Sequence, residues 1–284
     1  MKKRYATQKF FYILLLIITM IVVAFVLGII FYLVFKGARA ISWNFIFKFP
    51  SNGMREGGIL PAIIGTIYLM VGTIIFALPI GIFAAVYLNE YAARNKFTRI
   101  VRLSIINMAG VPSVVYGLFG LGFFVLFLRF GKSILAGSLT LALMVLPIII
   151  TSTEEALKAV PDTLRHASLA LGASKWQTVL KVVLPQALPG IITGSVIGIG
   201  RTAGETAPII FTVAVFSTPG LPKSIFDQVM ALPYHLYILA TQVTNPPKDF
   251  QWGTALVLLV LVLFFSVTGS IIRVRQRLKK KETA

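Results

Sequence analysis

The stretch VVLPQALPGIITGSVIGIGRTAGETAPIIFTVAVF, residues 182–216, is uncharged except for Arg201 and Glu205. A helix needs about 20 consecutive apolar residues to cross the hydrocarbon of a bilayer, so this run reads as one long or kinked span, or as two spans. The flanks of the two charges are apolar enough to read it as one. Further uncharged apolar runs occupy 10–35, 59–89, 103–128, 133–153 and 250–272. Six spans result; splitting 182–216 would make seven and send the C-terminus to the opposite side.

Lys and Arg near span ends are retained on the cytoplasmic side, and they arbitrate between the two counts. With six spans, 18 of the 27 Lys and Arg fall in the inner segments and 8 in the outer ones, with Arg201 left in the membrane. This asymmetry places both termini in the cytoplasm. The expected fold is all-α: a polytopic membrane helix bundle of six transmembrane helices. It divides into a first span with its outer loop (1–58), a five-span core (59–273) carrying a cytoplasmic loop (154–182), and a basic tail (274–284).

Composition agrees with this class. The chain is 57% hydrophobic and only 13% charged, against roughly 25% charged in soluble domains, and its mean hydropathy is +0.88. The net charge of +18 flanks apolar runs, which marks topology rather than a nucleic-acid surface. There is no cysteine, so disulfides and thiolate metal sites are excluded. His166 and His235 lie far apart and make no metal site, and no cofactor is expected. The MKKR start imitates a secretory signal, but the apolar stretch after it outruns the 7–15 residues of a signal core and reads as a retained first helix.

Glycine and proline recur inside the spans, as in ALPIGIF, GVPSVVYGLFGLG and ALPGIITGSVIGIG. They serve either close packing or rocking of helices about a pathway. Two outer segments exceed simple turns. The first, 36–58, carries Trp43, Phe45, Phe47 and Phe49, aromatics suited to the headgroup layer. The second, 217–251, contains SIFDQVMALPYHLYILA, which lies on the outer surface or dips back into the bundle. Interfacial anchoring is expected of both, with a docking surface or outer gate as the alternative.

The inner loop 154–182 is patterned differently from the others. Leu164, Ala167, Leu171, Val179, Leu180 and Val183 keep one face apolar at helical spacing. Pro161 and Asp162 suit a helix start, Gly172 interrupts, and Ser174 can cap a second helix running through Trp176 to Leu184 and Pro185. A helix, turn and helix between two spans makes a protruding knob shaped to sit in a partner's groove.

At these residues the chain resembles ABC transporter permeases, whose loop carries an EAA motif, a glycine after three residues and, further on, Ile, any residue, Leu and Pro. In HASLALGASKWQTVLKVVLP, His166, Ala167 and Ser168 occupy the EAA positions, Gly172 the glycine, Val182 the isoleucine, and Leu184 and Pro185 the final pair. His166 and Ser168 depart from the motif, while the spacing is kept throughout; Ala173 and Ser174 follow the glycine. Over nearly the whole chain the similarity is to phosphate-import permeases of the PstA type, through MAGVPSVVYGLFGLGFF, the loop and IGIGRTAGETAPII. The resemblance implies an ABC importer type I permease that transports inorganic phosphate across the lipid bilayer of the bacterial inner membrane. Its implied partners are a second permease (PstC-like), ATPase subunits (PstB-like) and an extracytoplasmic binding protein (PstS-like). The chain itself would catalyse nothing, in keeping with the lack of a GxxxxGK[ST] phosphate loop.

Arg201 and Glu205 are expected one turn apart on one face of the fifth span. Intramembrane charges usually face a wet pathway or one another. A role along an anion path and a self-satisfied pair that fixes packing are the two readings. A permease for another oxyanion (sulfate, molybdate or phosphonate) remains a competing function. A stand-alone secondary transporter or channel would be expected to show inverted repeats, and an enzyme is disfavoured because no nucleophile and base come together.

Overall fold

The computed structural model describes residues 2–218, 220–244 and 247–282; the side chains of 2–7 and 276–282, and residues 283–284 of the expected basic tail, lie outside the described residues. Among the described residues, five helical segments are long and apolar enough to cross a membrane, and a sixth crossing is a bent pair. Helix α1 (Lys2–Gly37) covers the first run. A short α2 (Trp43–Phe47) and a two-residue hairpin, β1 (Pro50–Ser51) with β2 (Glu56–Gly57), follow on the outer side. Helix α3 (Leu60–Val86) continues through a π-turn at Tyr87–Tyr91, α6 (Ile134–Lys158) covers the fourth run, and α12 (Lys248–Glu282) covers the last.

The third run, expected as one span over 103–128, is broken. Helix α4 (Lys96–Met108) and α5 (Ser113–Gly120), the latter prolonged by a π-helical Leu121–Phe127, meet at an angle of 102°. Pro112 has no N–H to continue a helix and disfavours helical backbone at Val111, and Gly110 adds a weak helix former at the same place. The Met108 carbonyl, without an N–H from Pro112, accepts the Val111 N–H at 3.2 Å and the Tyr116 hydroxyl at 2.8 Å.

The run that decides the span count also differs from expectation. Helix α9 (Leu184–Gly204) stops at Gly204, Glu205 is extended, and a separate α10 (Ala207–Thr212) follows. A continuous helix would have needed an N–H from Pro208 to the Gly204 carbonyl, which proline lacks and its ring obstructs. The six-span count survives because α10 only completes the crossing: it packs Pro208 on Gly117 of α5 and ends at the outer start of α6, where the Thr212 carbonyl accepts the Ser133 N–H at 2.9 Å. It does not cross again.

Helix order in the bundle follows from glycine contacts. Gly72 and Gly81 of α3 abut Ser138 and Ile149 of α6, so these helices run parallel; Gly190, Gly194 and Gly198 of α9 abut Ala156, Ser152 and Val145, so α9 is antiparallel to α6. Small residues let these backbones approach where lipid offers no hydrophobic drive to pair. On the far side of α9, α12 brings Gly269 to Val196 and Arg273 to Thr193. The outer end of α1 rests on α12 through Gly37 and the edge-to-face pair Tyr32–Trp252. The rest of α1 exposes apolar side chains from Phe10 to Phe31, as a bilayer-facing helix does. The start of α1 and the end of α12 thus lie on the side of the 154–182 loop.

The outer segment 217–251 dips back into the bundle. Residues Val229 to Leu232 are almost fully buried: Val229 pairs with the 213–215 strand-like stretch, and the Leu232 N–H donates to Thr66 Oγ1 of α3 at 2.8 Å. Helix α11 (Leu232–Thr241) then buries His235, Ile238 and Leu239 against α3 and α12. Interfacial anchoring is therefore corrected for this segment. Of the first segment's aromatics, Trp43 is exposed as expected, whereas Phe45 is buried edge-on to Phe250.

Candidate functional site

Two groups of residues stand out, one at the cytoplasmic loop and one where α9 stops. The loop folds as a knob. Helix α7 (Asp162–Ala170) opens after Pro161, whose fixed φ suits a helix entrance; Asp162 does not cap it but turns to Arg165. Gly172 sits at φ +81°, a left-handed turn in which a side chain is strained. Helix α8 (Lys175–Thr178) begins with a reciprocal capping box, Ser174 Oγ accepting from the Gln177 N–H and the Gln177 side chain accepting from the Ser174 N–H.

The second arm is not a separate helix, as expected from sequence, but the extension of the fifth span. α8 passes through a π-turn, Val179–Val183, directly into α9. Pro185 explains the turn: its absent N–H leaves one α-helical bond unmade, and the wider π-turn accommodates the gap. Val179 and Val183 are buried against Leu157 and Val160, while Leu164, Leu169 and Trp176 are exposed and Leu171 at the apex is 90% exposed. His166, Ala167 and Ser174 lie on the exposed surface, Ser168 and Ala173 are half-buried, and Leu184 and Pro185 sit where the knob joins the bundle. The two arms are joined by the Ser168 and Thr178 hydroxyls, 2.9 Å apart. All the loop residues singled out by sequence therefore belong to one small structure.

Arg201 and Glu205 also come together, but not as two positions on one helix face. Arg201 lies in the last turn of α9; Glu205 follows the helix end with φ −76°, ψ 128°, and its Oε1 lies 3.5 Å from Arg201 Nε. This is longer than the 2.7–2.9 Å of a strong charge-assisted bond. The Arg201 side chain is 36% exposed. Glu205 lines a small cavity with Thr66, Ala231 and Pro233, and α10, which follows it, packs Pro208 on Gly117 of the bent span. The pair stands where the stopped helix, the bent span and the dipping outer segment meet. It is far along the chain from the knob, to which α9 and α8 connect it as one helical rod.

Sequence reasoning missed a second set of charges beneath the knob. Arg165 pairs with Glu90 at 2.9 Å, and Arg102 and Lys158 flank Glu154 at 3.3 and 3.6 Å. The available signal was scarcity. The chain has nine acidic residues against 27 basic ones, and an acid kept at the inner end of a span among so many cations is a candidate partner for one of them.

Comparison with known proteins places this architecture. Residues 77–280 match the family described as binding-protein-dependent transport system inner membrane component. The chain is 34% identical over 262 residues to a probable ABC transporter permease protein, YqgI, of Bacillus subtilis, covering 88% of this chain and 89% of that one. It is 41% identical over 221 residues to the phosphate transport system permease protein PstA of Mycobacterium leprae, covering 76% and 71%. Among solved structures, it superposes on a chain of the bacterial alginate ABC transporter with a TM-score of 0.63 at 16% identity, covering 93% and 91%. A chain of the inward-facing MetNI methionine transporter gives 0.58 at 19% identity, covering 80% and 99%. The latter two show the fold. The family model and the relatives together show that this multi-pass inner-membrane chain belongs to the binding-protein-dependent ABC transporter permeases.

Proposed function

We propose that the chain is the membrane-spanning permease subunit of an ATP-driven importer of inorganic phosphate, forming half of the translocation pathway and catalysing no chemistry itself. The observation that carries the substrate is the run of relatives named phosphate transport system permease, at 30–41% identity over most of the chain. The partners that follow are a second permease of PstC type, ATPase subunits of PstB type and an extracytoplasmic binding protein of PstS type.

The geometry supplies a route for the work. His166 to Ser174 form the face offered to the ATPase, with Leu171 as its apolar tip; an exposed apolar tip on a short helical knob suits a groove. Displacement of α8 moves α9 with it, because the two are one helical run. At its other end that run carries Arg201, whose guanidinium suits a phosphate oxygen. Glu205, held loosely at 3.5 Å, competes with the anion for the same cation, so motion of α9 against the outer segment shifts Arg201 between carboxylate and phosphate. The test is labelled phosphate uptake in cells lacking the chain, with sulfate as control. Loss of phosphate uptake alone is expected; loss of sulfate uptake instead, or of neither, overturns the reading.

A further inference from the structure

The guanidinium of Arg165 joins three elements at once. Its Nη2 lies 2.9 Å from Glu90 Oε1 in the π-turn that ends α3 and donates to the Leu157 carbonyl at 2.8 Å. Its Nη1 donates to the Val160 carbonyl at 2.6 Å and to Asp162 at 3.1 Å. Leu157 lies in the last turn of α6 and Val160 just beyond its end at Lys158, where a cation is favoured by the helix dipole. Arg165 itself is on α7, the arm of the knob that does not continue a span as one helix: residues 159–161 separate it from α6. The side chains are only 15% and 9% exposed, so the pair is shielded from the solvent that weakens surface ion pairs.

The π-turn matters to this arrangement. Its wider winding leaves the Leu88 carbonyl to accept Arg102 of α4 at 2.6 Å, and Arg102 also reaches Glu154 of α6. The inner end of α3 is therefore gripped from two sides, by α4 through Arg102 and by the knob through Arg165. Exposed apolar contacts slide; a shielded guanidinium held by four oxygens fixes direction as well as distance.

We propose that Glu90 and Arg165 are a positioning pair that carries displacement of the knob into α3, so that its loss lets ATP hydrolysis run without moving substrate. α8 drives α9 by chain continuity, and α7 drives α3 by this ion pair; together they move two spans that pack on α6 and on each other. The proposal rests on the importer reading above.

The test uses the complete transporter, with ATPase and binding protein, reconstituted in liposomes and assayed for both ATP hydrolysis and uptake of inorganic phosphate. Glu90→Gln keeps the shape and the carbonyl bonds of Arg165 and removes only the charge. Expected is hydrolysis within about twofold of wild type with phosphate moved per ATP reduced about fivefold or more, and Glu90→Asp regaining most of the ratio. A wild-type ratio in Glu90→Gln, or hydrolysis and uptake falling in step, overturns the positioning role. Should Glu90→Gln fail to assemble, Arg165→Lys, which keeps the charge but not the fork, is held to the same ratio. A wild-type complex that moves no phosphate with ATP overturns the importer reading instead, which separates the two failures.

Discussion

The hydroxyls of Ser168 and Thr178 meet 2.9 Å apart across the Gly172 turn, and they fasten the free arm of the knob to the arm that enters the membrane. Ser168 stands where permeases of this kind carry the second alanine of their loop motif, so the departure creates a contact. A net hydrogen bond contributes about 1 kcal/mol, and Thr178 is buried. Ser168→Ala should therefore lower the melting temperature in detergent by about 2 °C and leave phosphate uptake within about twofold of wild type. A thermal-shift series beside an uptake assay checks both.

Gly172 separates backbone strain from steric fit. It has φ +81°, yet a Cβ built there meets nothing within 4 Å, so substitution is opposed by conformation alone. The left-handed region costs ordinary residues about 1–2 kcal/mol, and asparagine tolerates it best. Gly172→Asn should keep uptake coupled to hydrolysis, whereas Gly172→Val should reopen the turn and uncouple them. Equal behaviour of the two variants would mean that the turn geometry is not what the ATPase reads.

Six apolar runs were legible because hydrophobic length is a direct physical requirement of crossing a bilayer. The knob was legible because Gly172 and Ser174 act on neighbours three or fewer residues away. Harder to see were features in which a local rule is overridden. Proline inside a span is tolerated by many membrane helices, so Pro112 and Pro208 did not announce that one breaks a span and the other stops α9 from continuing. The burial of 229–239 was hidden because moderate hydrophobicity suits both a headgroup layer and a bundle interior. The side chains of Glu90 and Arg165, 75 residues apart, left no periodic trace at all.

Arg201→Ala tests the anion path against a packing role. The Arg201–Glu205 contact is 3.5 Å long with a third of the arginine exposed, and partly exposed pairs contribute about 0–1 kcal/mol to stability. The amount of inserted protein should then be unchanged. Phosphate uptake should fall at least tenfold, equivalent to about 1.4 kcal/mol of lost interaction with the moving anion. Lysine at the same position keeps the charge without the fork and should fall between the two. Membrane-fraction immunoblots beside uptake rates decide it: reduced insertion with normal uptake per molecule points to packing.

Gly65 holds the outer segment in place by having no side chain. It lies against the Met230 carbonyl and the Val229 side chain so closely that a Cβ would collide with the carbonyl oxygen, and backbone at that spot cannot swing aside as a flexible side chain can. The neighbouring Thr66 hydroxyl accepts the Leu232 N–H, so displacement of the segment also leaves a buried donor unpaired. Gly65→Val should cost about 1–3 kcal/mol, as overpacking does, and the cost should appear as loosening of 217–251 rather than loss of the bundle. Limited proteolysis from the outer side should cut that segment faster in the variant, while the knob, on the opposite face, keeps its wild-type resistance. Gly28→Ala is the control: its Cβ meets nothing within 4 Å, so it should leave cutting unchanged and, as a glycine-to-alanine change inside a helix, destabilise nothing. Equal cutting of Gly65→Val and Gly28→Ala would show that the segment does not depend on this close approach.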